Sequence, residues 1–240
     1  MKIKEIIKTI RTNFFYKTLY TSFFSLIIII AFAGYNLYLG IKFDDAFAKG
    51  IAIYYVLLIW VKLATLIVEK KIVQKDDASK TIIRRKNYII SSILVFIIDF
   101  CLIAPIILMV TNPKEVNFGL SPSIVMAAYC VYKISFAIIN YKKSKKSNNL
   151  TIILFREINI IEAILSILTL QHTLIMVNSG MNESMRTLSF VTSIGFIGLI
   201  ILFSILSFLK NKKIIDYKVS QWVLPVYSNS YVIKEMKIEY

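Results

Sequence analysis

Histidine occurs once in these 240 residues, cysteine twice, proline four times and glycine seven times. With so few soft ligands there is no cysteine–histidine cluster at metal-binding spacing, which sets aside zinc hydrolases and metalloproteases. HExxH, GxSxG and Walker A motifs are missing as well. An intramembrane aspartyl enzyme needs two converging aspartates, and Asp99 stands alone in the apolar runs. The chain is therefore read as no enzyme, with no cofactor and no metal. Cys101 and Cys130 both fall in apolar runs, where a thiol packs inertly and no disulfide framework is suggested.

Acidic residues are scarce too: 14 against 29 lysines and arginines, for a net charge of +15. In a soluble protein that balance would suggest nucleic acid. Here hydrophobic residues make up 57% of the chain, charged residues only 18%, and the mean hydropathy is +0.68. That is too apolar for an ordinary soluble domain.

Apolar runs of roughly 20 residues, the length that spans a bilayer, occur six times. They fall near 18–40, 48–68, 88–110, 122–140, 158–178 and 188–209. The predicted fold is an all-α membrane domain over 1–209, opening with a basic amphipathic segment at 1–17 and followed by a short tail, 210–240. The tail is apolar enough to form a hairpin or extended segment beneath the bundle.

The basic residues orient the chain. The segments 1–17, 69–87, 141–157 and the tail after 209 carry five, seven, five and six, which makes 23 against four in the three other loops. Both termini and both longer loops are therefore expected in the cytoplasm of a cell-membrane protein, against an anionic inner leaflet. The positive charge is topology, and nucleic acid is not an expected partner. Abundant Ile, Lys and Asn suggest an AT-rich coding sequence of bacterial type.

Shifting the chain by 71 residues places Lys62 on Lys133, Lys71 on Lys142, Lys142 on Lys213 and Arg85 on Arg156. Hairpins of equal length with basic inner ends produce such matches by themselves. A lysine inside a span is rare, however, and its repetition favours triplication. On this reading three parallel two-helix hairpins surround a pseudo-threefold axis, with Lys62, Lys133 and Ser204 equivalent.

Lys62, Asp99, Lys133 and Glu162 are the ionisable residues within the spans besides His172. A charge at a helix centre costs about 2.5–3.5 kcal/mol on insertion scales, so such groups face the interior, pair, or mark a pathway. Depth pairs Asp99 with Lys133 on consecutive antiparallel helices. Glu162, one turn inside its span, would reach headgroup water or Lys62, whose stem can snorkel.

One reading makes these neutralised pairs that fix helix register. The other makes them a polar site near the midplane for an ion or small anionic solute, with Ser204 facing Lys62 and Lys133 around the axis and His172 near the outer mouth. Pro105 is expected to kink the third span by removing a donor to the carbonyl of Cys101. Gly195 and Gly198 read as a close-packing face, and Trp60 as an internal packing residue. Two functions follow: a small transporter or channel-like protein, or a non-transporting subunit that holds a protein partner through its basic cytoplasmic loops and tail.

Overall fold

The computed structural model describes residues 14–111, 120–144, 149–177, 183–184 and 187–209. Among the described residues the regular elements are helices: α1 (Phe14–Lys42), α2 (Ala46–Ile72), α3 (Asp77–Cys101), α4 (Ile103–Thr111), α5 (Leu120–Ser144), α6 (Leu150–Val177) and α7 (Thr187–Leu209). Six spans are long and apolar enough to cross a bilayer, α3 and α4 together supplying the third, Asp77–Leu108. The protein is an all-helical, polytopic membrane protein. The amphipathic segment expected at 1–17 lies outside the described residues except for its last four, the first turn of α1; the tail 210–240 lies wholly outside them.

Several helices outrun their apolar runs. α3 starts at Asp77 rather than near 88, and α6 at Leu150 rather than near 158. Hydropathy registers only the stretch that needs lipid, whereas local capping decides where a helix begins. The Asp76 carboxylate accepts from the Ser79 amide at 2.9 Å, and the Asn149 side chain accepts from the Thr151 amide at 3.0 Å. Asp45 caps α2, accepting from the amides of Phe47 at 3.1 Å and Ala48 at 3.2 Å.

The third span breaks at Leu102. Its amide turns back to the Asp99 carbonyl at 3.3 Å, closing a three-residue turn tighter than the α-helical one. Pro105 then sits in the first turn of α4, where a missing N–H leaves no helical bond unmade. Its ring lies against Gly50 of α2, where a Cβ would come within 2.3 Å of the Pro105 Cβ. The kink therefore lets two backbones approach closely.

The middle of the bundle is α6, with 61% of its most apolar window buried against 22% for α7, which lies at the edge. α6 packs along α5 and touches α1, α2 and α3; α2 packs along α1 and against α3 and α4. Consecutive spans are not always neighbours. Among the described residues α5 forms no packed interface with α3 or α4.

Two packing expectations are corrected. Trp60 is 67% exposed on the outer surface of the bundle, because α2 turns Tyr54, Tyr55, Leu58, Val61 and Lys62 inward and Trp60 lies on the other side. Among the described residues Gly195 and Gly198 are not in a tight interface: a Cβ built on either meets nothing within 4 Å.

Candidate functional site

One face of α6 carries Asn159, Glu162, Ser166, Thr169 and Thr173, spaced three or four apart and all buried. Apolar residues flank this stripe and drive the helix into the centre, carrying the polar groups with them. On its far half the stripe satisfies itself. Ser166 donates to the carbonyl of Ala163 at 2.7 Å, Thr169 to that of Ser166 at 3.0 Å, and Thr173 to that of Thr169 at 2.8 Å.

Glu162 is different, because its carboxylate reaches across the bundle. The Nζ of Lys62, from α2, lies 2.6 Å from Oε1, and the Nζ of Lys133, from α5, donates to Oε2 at 2.7 Å. Lys62 also donates to Asn159 Oδ1 at 3.1 Å, and Lys133 to Ser25 Oγ of α1 at 3.5 Å. The Lys133 ammonium lies 5.5 Å from the centroid of the Tyr129 ring, within cation–π range. Relative exposures are 1% for each lysine and 0% for the glutamate, so the centre is closed to solvent. Two ammoniums share one carboxylate, and a surplus positive charge is left within the group.

The surroundings differ along the bundle axis. Towards the loops poor in basic residues, Phe32 stacks on Tyr129 with centroids 3.4 Å apart and meets Tyr55 edge-on at 5.6 Å. These three rings, from α1, α2 and α5, cap the centre with an aromatic layer. Towards the basic loops the groups are polar. Thr65 and Ser91 meet at 3.4 Å, and Tyr88 donates to Glu157 at 3.1 Å, where Ser207 also donates. Arg84 Nε donates to both oxygens of Glu69, at 2.9 and 3.2 Å, and Thr151 adds a bond at 2.8 Å.

The expected Asp99–Lys133 ion pair is not formed. Asp99, fully buried, accepts from the Tyr54 hydroxyl at 2.8 Å and from the Ser204 hydroxyl at 2.7 Å. The pairing rested on consecutive antiparallel helices being neighbours, and α5 lies on α6 instead of α3. Ser204 accordingly meets Asp99, not the lysines. Glu162 does not reach headgroup water, nor does Lys62 snorkel to it, since both are buried in the centre.

His172 sits near the far end of α6, 3% exposed, with Nε2 2.9 Å from Asp45 Oδ2 and its ring 4.2 Å from that of Phe47. Burial pushes the Asp45 carboxyl up, but the charge and hydrogen bond of His172, with the amides of Ala48 and Phe47, outweigh burial and hold it below the usual carboxylate value. One carboxylate thus caps α2 and ties it to α6.

Asn159, Ser25, Tyr54 and Asp45 were not singled out in the sequence. Asn159 carried a signal, being three residues before Glu162 and so on the same helix face. Asp45 carried one as a capping residue directly before a span. Serines and tyrosines are ordinary in spans, so Ser25 and Tyr54 carried none. Comparison with known protein families, curated proteins and solved structures finds no match.

Proposed function

We propose that the chain is a small transporter or channel-like protein for an anionic solute, with Lys62, Lys133 and Glu162 as its central site. The observation that carries this reading is the two-to-one ratio of ammoniums to carboxylates in a fully buried group. Structural pairing alone would be met by one lysine for one glutamate. A second buried cation is costly, and intramembrane charge of that kind commonly marks a substrate or ion pathway.

The polar groups on the basic-loop side supply hydrophilic footing for access from that side, and the aromatic layer closes the other. His172 and Asp45 hold the far end, and Asp99 with Ser204 flanks the centre. On the positive-inside rule the basic-loop side is cytoplasmic and the membrane the cell membrane. The threefold hairpin repeat is part of the proposal as a sequence relation. Lys62 and Lys133, equivalent under the 71-residue shift, converge on one carboxylate.

The test is water access to single cysteines. In a Cys101→Ala, Cys130→Ala background, Lys62→Cys and Asn159→Cys should react with a small impermeant anionic thiol reagent added from the basic-loop side of oriented vesicles. Lack of reaction at both, in protein that inserts and stays folded, would overturn transport. A second reading would then stand: a non-transporting subunit that anchors a protein partner through its basic loops. It is favoured by the complete closure of the lysine–glutamate centre in this conformation.

A further inference from the structure

Of Lys62, Asp99, Lys133 and Glu162, the ionisable residues that the sequence places within the spans besides His172, the lysine–glutamate centre uses three. The fourth, Asp99, is 0% exposed. The groups that face it are the Tyr54 hydroxyl from α2, at 2.8 Å from Oδ1, and the Ser204 hydroxyl from α7, at 2.7 Å from Oδ2. No lysine, arginine or histidine forms an ion pair with it among the described residues.

Asp99 also has a neighbour that the closed centre lacks. A half-open, mostly apolar groove of about 220 Å³ lies between α3 and α7, with Ser92, Phe96, Ser204 and Phe208 in its wall and the largely exposed Ile93 and Leu209 also lining it. The Ser204 hydroxyl is at once part of that wall and a donor to Asp99. Ser92 Oγ, in the same wall, is buried with no hydrogen-bond partner. Two hydroxyls therefore give the apolar groove a polar end that leads to the carboxyl.

We infer that Asp99 is the proton-carrying counter-charge of the Lys62–Glu162–Lys133 centre, so that one monovalent anion crosses together with one proton. This rests on the transport reading above and names its coupling ion and substrate class. The argument is charge balance in a medium where unbalanced charge is expensive. With Asp99 ionised, the two lysines and two carboxylates sum to zero. A monovalent anion drawn to the surplus positive charge takes the sum to minus one, and a proton on Asp99 restores zero. A divalent anion would be left unbalanced.

The proton has a route. When a hydronium ion reaches the groove, Ser204 can pass its hydroxyl proton to Asp99 Oδ2 while its oxygen takes one from that ion, which leaves as water; the serine is unchanged and the acid protonated.

The test uses the full chain in proteoliposomes that enclose a pH-sensitive dye. Inward gradients of chloride, nitrate or methanesulfonate are imposed separately. The expected result is internal acidification that matches anion uptake one for one. Asp99→Asn should still admit the anion but no proton, so that uptake becomes sensitive to membrane voltage. Ser204→Ala, which keeps the carboxyl, should slow coupled uptake by about tenfold without weakening anion binding.

Anion uptake without protons in the unmodified chain, or full coupling retained in Asp99→Asn, would overturn the inference and leave the transport reading intact. An unchanged rate in Ser204→Ala overturns the relay if Asp99→Asn fails to fold. If none of the three anions enters, and none stabilises the purified protein against heat, transport itself fails and the inference with it.

Discussion

Glu162 is the residue on which the buried centre turns. It is the shared counter-charge for Lys62 and Lys133, and neither lysine has another carboxylate within ion-pair distance among the described residues. Removing it strands two ammoniums, whereas removing Lys133 leaves a one-to-one pair. Glu162→Gln should therefore destabilise the protein by about 3–5 kcal/mol. Lys133→Met should cost less than half as much. Denaturant unfolding in detergent micelles checks this, and equal losses would mean that the surplus charge is neutralised elsewhere. Charged residues in apolar runs announced themselves in the sequence, so Lys62, Asp99, Lys133 and Glu162 were legible as a set. Of their pairing only the Lys62–Glu162 contact was legible; that Lys133 joins Glu162 rather than Asp99 was not, because depth along a helix says nothing about which helices touch.

At the scale of elements, the kinked third span and the central α6 set the geometry. The break at Leu102 seats Pro105 against Gly50, and this contact brings α2 and α4 together. Gly50→Ala places a methyl 2.3 Å from the proline Cβ and should cost about 1–3 kcal/mol by overpacking. Gly195→Ala and Gly198→Ala, where an added Cβ finds open space, should change stability by less than about 0.5 kcal/mol. Thermal midpoints of the three variants in one detergent decide it; a Gly198→Ala loss as large as that of Gly50→Ala would point to an interface on the α7 face. In sequence the three glycines look alike, since a small residue in a span marks close packing only when something lies opposite it. Pro105 was legible as a break because proline is accepted in the first turn of a new helix and not in mid-helix, a constraint local to its own segment.

For the whole molecule, the ordering principle is a division by charge between the two ends. The basic turn between α2 and α3 and the connection between α1 and α2 lie at opposite ends of α2. Cysteines replacing Gln74 and Lys42 in a cysteine-free background should react from opposite sides of the membrane, position 74 from the cytoplasm. Labelling of both from one side would contradict a spanning α2. The same division separates the polar networks around Glu69 and Glu157 from the Phe32–Tyr55–Tyr129 layer, so the buried centre has one polar and one aromatic flank.

The sequence by itself determined the class, the six spans, the expected orientation and the short roll of charged residues that had to be buried. These follow from composition and from free energies of transfer that act residue by residue along a linear chain. Only the tertiary structure decided that α5 lies on α6 and not on α3, that Lys133 joins Glu162 rather than Asp99, and that Trp60 lies on the outer surface of the bundle. Helix rotation and partner choice depend on interdigitation of whole side-chain faces, and in a chain so rich in isoleucine many faces are nearly equivalent until they are packed.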